Sequence, residues 1–182
     1  MSENILTVRE MRESDIELII QYWLNADKAF LERMGADINK IPARDEWRKM
    51  LTEQLSQPVE EKKSYCMIWE VDNEHVGHSN VSKIIFGEEA YMHLHMWNAG
   101  LRQKGLGTAL VKKTLPYYFE KLKLKTVYCE PYALNPAPNN VLKKVGFRFI
   151  KEYVTTPGWL NFEQAVNRWE LSYDNYKKLN WQ

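Results

Sequence analysis

A chain of 182 residues and 21.6 kDa, with 45% hydrophobic and 27% charged residues, has the make-up of one compact domain spanning 1–182 and excludes the disordered and fibrous classes. Twenty-five Lys and Arg against 24 Asp and Glu leave a formal charge of +1, so nothing attracts nucleic acid or an anionic membrane, and neither is expected as a partner. Cys66 and Cys129 stand far apart with no zinc or redox spacing and are expected to be reduced core thiols. The segment Met1-Ser2-Glu3-Asn4 shows no basic stretch leading into an apolar one, and no window approaches the roughly 18 to 20 apolar residues that cross a bilayer, so the expected compartment is the cytoplasm.

Ile5 to Val8 reads as a short strand, and Ser14-Asp15-Ile16-Glu17 as a capping box that opens an amphipathic helix through Ile16, Ile19, Ile20 and Trp23. Trp47, Met50, Leu51 and Leu55 recur at helical spacing and stop at Pro58. Tyr65 to Val71, Val76 to Ile85 and Ala90 to Trp97 then form three strand-like runs separated by Asp72-Asn73-Glu74 and Phe86-Gly87-Glu88, an antiparallel meander. Gly105 to about Lys121 is helical, with Pro116 expected to bend or restart it. Thr126 to Glu130 is a strand, Asn139 to Val145 a short helix, and Phe147 to Val154 and Arg168 to Tyr173 two final strands. This order implies an α/β fold, a mixed sheet covered by helices on both faces.

The segment Arg102-Gln103-Lys104-Gly105-Leu106-Gly107-Thr108 follows a strand and opens a helix, so backbone amides face outward at the positive end of the helix dipole. It is an anion site, in which glycines allow close backbone approach and Arg102 and Lys104 add charge opposite a pyrophosphate. A Walker A loop starting at Gly100 would need Lys and Ser or Thr after Gly105, where Leu106 and Gly107 stand. A dinucleotide fingerprint starting at Gly105 would need Gly or Ala where Leu110 stands. A strand-to-helix turn with no ligand is the remaining alternative.

Arg102-x-x-Gly105-x-Gly107 resembles the R/Q-x-x-G-x-G/A signature with which enzymes of the GNAT superfamily hold the CoA pyrophosphate, and it falls where the family has it, between the fourth strand and the next long helix. Asn135-Pro136-Ala137-Pro138 followed by Leu142-Lys143-Lys144-Val145-Gly146-Phe147 is similar to the N-x-x-S... L-x-K-x-G-F segment of the ribosomal-protein acetyltransferase-like branch. Leu6 to Asp15 is similar to the family's usual opening, and Lys104 to Thr108 with Val154-Thr155-Thr156-Pro157 resembles stretches of aminoglycoside 6'-N-acetyltransferases. The resemblance implies a GNAT fold with a mixed, mostly antiparallel sheet, an N-acetyltransferase activity, and acetyl-CoA as cosubstrate. It further implies that strands four and five splay apart around the pantetheine arm, that the backbone of Met96, Trp97 and Asn98 bonds that arm, that Asn135 binds it by its side chain, and that Leu142 packs beside the thioester.

Two family features are missing. Leu142 replaces the tyrosine, and Pro138 the serine, that protonate the departing thiolate in many relatives. An acceptor ammonium must still lose a proton, and the tetrahedral oxyanion needs a donor. Along Tyr91-Met92-His93-Leu94-His95-Met96-Trp97, alternation puts Tyr91, His93, His95 and Trp97 on one face, which makes His93 the leading base and His95 the next; hydrogen-bonded sheet residues are the alternative. The pair is similar to a His-x-His of arylalkylamine N-acetyltransferases, shifted about two residues toward the glycine loop. Glu130, with Tyr128 and Tyr132 on one face of the fifth strand, is the secondary catalytic candidate. No Cys, Asp or Glu supplies a third ligand beside the histidines, so no metal is expected, although His75 and His78 lie near the start of the preceding strand.

The family's first two helices form its acceptor wall. Here Asp27 to Asp45 mixes Glu32, Asp37 and Asp45 with Lys28, Arg33, Lys40 and Arg44, a rim without the acidic field that an aminoglycoside would favour. A small primary amine is therefore the expected partner, taken in a ternary complex, with peptide N-termini or a catalytically idle CoA-binding module as alternatives. Trp23, Trp47 and Trp69 fit core periodicity, and Trp159 lies in the polar Pro157 to Asn161 loop as a candidate acceptor contact; a monomer and a homodimer are both compatible with the sequence.

Overall fold

A computed structural model of the chain describes residues 4–101, 105–179 and 181. The elements run β1 (Leu6–Glu10), α1 (Ile16–Leu24), α2 (Lys28–Arg33), α3 (Arg44–Ser56), β2 (Ser64–Val71), β3 (Glu74–Ile85), β4 (Glu89–Met96), α4 (Leu106–Pro116), β5 (Thr126–Cys129), α5 (Pro136–Val145), β6 (Arg148–Thr155), β7 (Gln164–Ser172) and α6 (Tyr173–Tyr176). A seven-stranded sheet has the order β1-β2-β3-β4-β5-β7-β6, antiparallel except where β4 meets β5. The mixed sheet expected from the element order is therefore present.

Alternation along β2 sorts the core into two layers. Tyr65, Met67, Trp69 and Val71 point to the face covered by α4 and α5, where Leu110, Leu115, Leu142 and Val145 are buried. Cys66 and Ile68 point to the opposite face, under Ile16, Ile20 and Trp23 of α1 and Trp47 and Leu51 of α3. The two-residue period of the strand is thus what divides one sheet between two helical layers. Asp72 and Asn73 both take positive φ (52° and 66°), which matches the tight hairpin between β2 and β3.

Several boundaries differ from the sequence reading. Ser14 caps nothing; the helix is entered through a 3-10 turn at Glu13–Asp15, and the Asp15 carboxylate accepts from the Arg12 amide at 2.7 Å. Asp15 is held there because Arg9 donates to both of its oxygens, at 2.7 and 2.9 Å, while Arg9 Nε donates to Glu70 at 2.8 Å. The short helix α2 was hidden in the charged segment and is started by Asp27, whose side chain accepts from the Phe30 amide. Helix α5 begins at Pro136 rather than Asn139, since a proline has no amide to lose in the first turn. Strand β7 reaches back to Gln164. Pro116 ends the regular part of α4, and Tyr117–Lys121 continue as a π-helical turn.

Candidate active site

Strands β4 and β5 pair only through Glu89↔Thr126, Ala90↔Val127 and Tyr91↔Tyr128. Beyond Tyr91 they part, while β4 stays paired with β3 as far as Gly77↔Met96. The Trp97 amide donates to Val76 at 2.8 Å, so the odd-numbered residues 91 to 97 turn their backbone groups toward β3 and the even ones toward the opening. Cys129 Sγ donating to the Met92 carbonyl at 2.9 Å fits that assignment. The backbone groups facing the split are therefore those of Leu94 and Met96. Trp97 has its amide committed to Val76, and Asn98 uses its side-chain oxygen to accept from Gly100. Leu94 escaped the sequence reading; combining the strand's alternation with the hairpin register would have found it.

One wall of the split is made by helix ends. Gly105 caps α4 with φ +76°, a left-handed conformation that other residues adopt at a cost, and the first-turn amides of α4 then point out of the helix. Gly105, Gly107 and Thr108 face a cavity of about 1030 Å³ together with Asn135, Pro138 and Val141 of the neighbouring α5. Asn135 is the N-cap of α5, its side chain accepting from the Ala137 amide at 3.4 Å. Arg102, Gln103 and Lys104 lie outside the described residues. Leu106 does not line the cavity. Leu142 is fully buried between α5 and the sheet, because the helical turn that brings Val141 to the cavity carries its neighbour into the core.

The cavity passes through the split to the opposite sheet face, where His93 and His95 of β4 stand opposite Asn80 and His78 of β3. His78 and His95 stack with centroids 4.4 Å apart. The Trp97 indole, which can only donate, gives its hydrogen to His78 Nδ1 at 2.8 Å, so His78 keeps its own proton on Nε2. His95 Nδ1 lies 3.2 Å from the Tyr22 hydroxyl, and His93 Nε2 lies 2.9 Å from Ser82 Oγ. Burial pushes all three imidazoles down: His78 to about 3, with His93 adding to the effect, His93 to about 4, with Lys83 adding, and His95 well below its ordinary value, with His78 and His93 adding. All three are neutral at neutral pH.

Glu130 borders the cavity with its side chain 5% exposed, accepting from Tyr153 and, at 3.3 Å, from Arg168. Arg168 in turn donates to Tyr91 at 3.1 Å and covers the Tyr128 ring at 4.2 Å. This carboxylate is committed to a cation and a phenol, which ties β5, β6 and β7 together. Cys66 and Cys129 are buried and unpaired, and burial pushes both thiols up.

The far end of the cavity is aromatic. Trp23 of α1 and Trp47 of α3 stack at 5.8 Å and 19°, and Trp159 leans on Trp47 at 5.7 Å and 56°. Phe30, Met34 and Met50 continue the wall. The core periodicity of Trp23 and Trp47 was legible, but not that both also border a cavity. Among the described residues, no group of three or more His, Cys, Asp or Glu could hold a metal ion, and no helix is long and apolar enough to cross a membrane.

A strand pair splayed around a cavity, with a helix N-terminus at one end, can hold an extended phosphorylated ligand through backbone groups and bring a second ligand to it from the other sheet face. No curated protein matches the chain by sequence. Among solved structures, spermidine N-acetyltransferase from Vibrio cholerae in complex with CoA and spermine is 17% identical, with a TM-score of 0.76 over 94% of this chain and 98% of that one. RimL, a ribosomal-protein alpha-N-acetyltransferase in complex with coenzyme A, is 18% identical, with a TM-score of 0.76 over 95% and 99%. These likenesses show a common fold. The family model described as acetyltransferase (GNAT) domain matches residues 6–148, and the chain therefore belongs to the GNAT acetyltransferase family.

Proposed function

We propose that this protein transfers an acetyl group from acetyl-CoA directly to a small primary amine in a ternary complex. The observation that carries the reading is the continuous cavity that runs from Gly105, Gly107 and Thr108, past the open edge of β4, to the aromatic end on the other sheet face. The two solved relatives that hold CoA support the choice of cosubstrate.

The residues then have defined tasks. The α4 N-terminus takes the pyrophosphate, with Arg102, Gln103 and Lys104 preceding it in sequence, and Asn135 borders the pantetheine arm. The Leu94 and Met96 backbone lies along that arm, and the Leu94 amide is the donor for the tetrahedral oxyanion. In the tautomer that donates Nε2–H to Ser82, His93 offers its Nδ1 lone pair to the proton leaving the amine; in the tautomer that donates Nδ1–H to Tyr22, His95 is the second acceptor. Their low basicity makes them relays that pass the proton to water. Glu130 organises the far side of the split through Arg168. Pro138 and Leu142 offer no acid, so the departing thiolate is protonated by solvent.

The test joins calorimetry with acetyl-CoA to a free-thiol assay over amino acids, polyamines, aryl amines and peptides with free N-termini. Micromolar binding with amine-dependent thiol release is expected. Binding without release to any amine would leave a CoA-binding module in place of an enzyme, and turnover of peptides alone would replace the small amine.

A further inference from the structure

The aromatic end of the cavity narrows the acceptor further, on the premise that the cavity is the transferase site. Among the described wall residues the carboxylates are Glu53, exposed on α3, and Glu130, already held by Arg168 and Tyr153. Away from the α4–α5 end, the same wall carries Arg33, Lys63 and Lys83. An acceptor bearing further ammonium groups would bring them out of water toward more cations than available carboxylates, which is unfavourable. Flat apolar surface is offered instead: the Trp23–Trp47 stack, and Trp159, 54% exposed and tilted over Trp47.

A second observation points to a ligand atom. The Trp47 side chain is buried, with the residue 5% exposed, and its indole N–H has no hydrogen-bond partner among the described residues. Buried donors are nearly always satisfied, and an orphan one on a cavity wall is a place for an acceptor brought by the ligand. The reacting amine belongs at the open edge of β4, so the remainder of the acceptor extends toward these rings.

We propose that the acceptor is a monoamine whose body is an aromatic ring carrying a hydrogen-bond acceptor such as a phenolic oxygen, the ring lying against Trp47 and Trp159 and the oxygen taking the Trp47 indole hydrogen. The Trp47 nitrogen is itself shielded from solvent, so this placement requires Trp159, tilted over Trp47 on an exposed loop, to move aside when the acceptor binds.

The experiment measures acetyl-CoA-dependent thiol release with tyramine, phenethylamine and spermidine for the wild type, Trp159→Ala and Trp47→Phe, with acetyl-CoA affinity followed by calorimetry. Tyramine is expected to exceed spermidine in kcat/KM by about a hundredfold. Trp159→Ala raises the KM for both aryl amines by about tenfold, and Trp47→Phe, which keeps a ring but removes the donor, brings tyramine down to phenethylamine. Preference for spermidine, or equal loss of both aryl amines in Trp47→Phe, overturns the aromatic assignment while thiol release upholds the transferase reading. Failure of acetyl-CoA to bind the wild type overturns both. Trp159 sits on an exposed loop, so its variant stays informative even if Trp47→Phe folds poorly.

Discussion

The two ends of the cavity are built from different material. At the α4–α5 end the wall is helix termini, glycines and the open edge of β4, so what it presents to the cavity is mainly backbone dipoles. At the α1–α3 end it is indole, thioether and imidazole side chains brought from α1, α2, α3, β3, β4 and the loop at Pro157–Asn161. A backbone-built end tolerates many side chains provided the chain path is kept. An end built from side chains changes its shape and polarity with each residue that is replaced.

Arg9→Ala should have the largest effect and fall on the second end alone. It strands the buried Asp15 carboxylate at the start of α1, at a cost of about 3–5 kcal/mol, read as a lowered Tm. Loosening of α1, which carries Ile19 and Trp23, raises the KM for the amine while acetyl-CoA affinity holds; a cost below about 1 kcal/mol would mean that water takes over the Arg9 contacts.

Gly107→Asp breaks the other end. A Cβ at Gly107 meets only Val141, at 3.6 Å, so the fold is kept, yet a carboxylate is placed where the pyrophosphate should bind. Acetyl-CoA affinity should drop by about a hundredfold or more in calorimetry. Full affinity in a folded variant would move the cofactor away from this helix.

His93→Ala is expected to lower kcat by about a hundredfold and His95→Ala by less, with acetyl-CoA affinity intact. Because burial lowers His93 to about 4 and holds His95 well below its ordinary value, the wild-type rate should climb with pH as the amine deprotonates and show no break near 6.5. Unchanged kcat in both variants would hand the proton to water or to the substrate itself.

Stability against pH tests the buried histidines as a group. The folded protein binds fewer protons than the unfolded chain once pH falls below 6.5, since His78, His93 and His95 all have depressed affinity for them. Their contribution is complete above that value and is lost as pH falls from 6.5 toward 4 and 3. The lowered Asp15 carboxyl, where Arg9 and the Arg12 amide outweigh burial, acts in the same direction at lower pH. A Tm that is flat between pH 7 and pH 5 would show that the histidines are solvated.

The backbone-built end was the legible one. Gly105, Gly107 and Asn135 announce a chain path through local spacing, and the meander, the long helices and the facing of His93 and His95 follow from periods of two and 3.6. Helix α2 was missed because Lys28–Arg33 is too short to show a period among its charges. The aromatic end was legible only in part: the first two helices and the Trp159 loop were expected near the acceptor, but Trp23, Trp47 and Trp159 become one cluster only through the packing of α1 on α3 and the approach of a distant loop. Ser14 looked like a cap because the pattern around it is local, whereas the partner that decides the matter, Arg9, sits across a turn on β1.

The π-helical turn after Pro116 has a reach well beyond its place in the chain. It aims Tyr118 into the sheet, where its hydroxyl donates to Ser79 Oγ at 2.8 Å and Ser79 donates to the His93 carbonyl at 2.9 Å. A turn of ordinary α-helical pitch would rotate each following side chain by a fraction of a turn and swing the phenol off that line. The position of the strand that bears the histidines is therefore tied to how many residues the turn contains, so that length rather than chemistry is the quantity held fixed there.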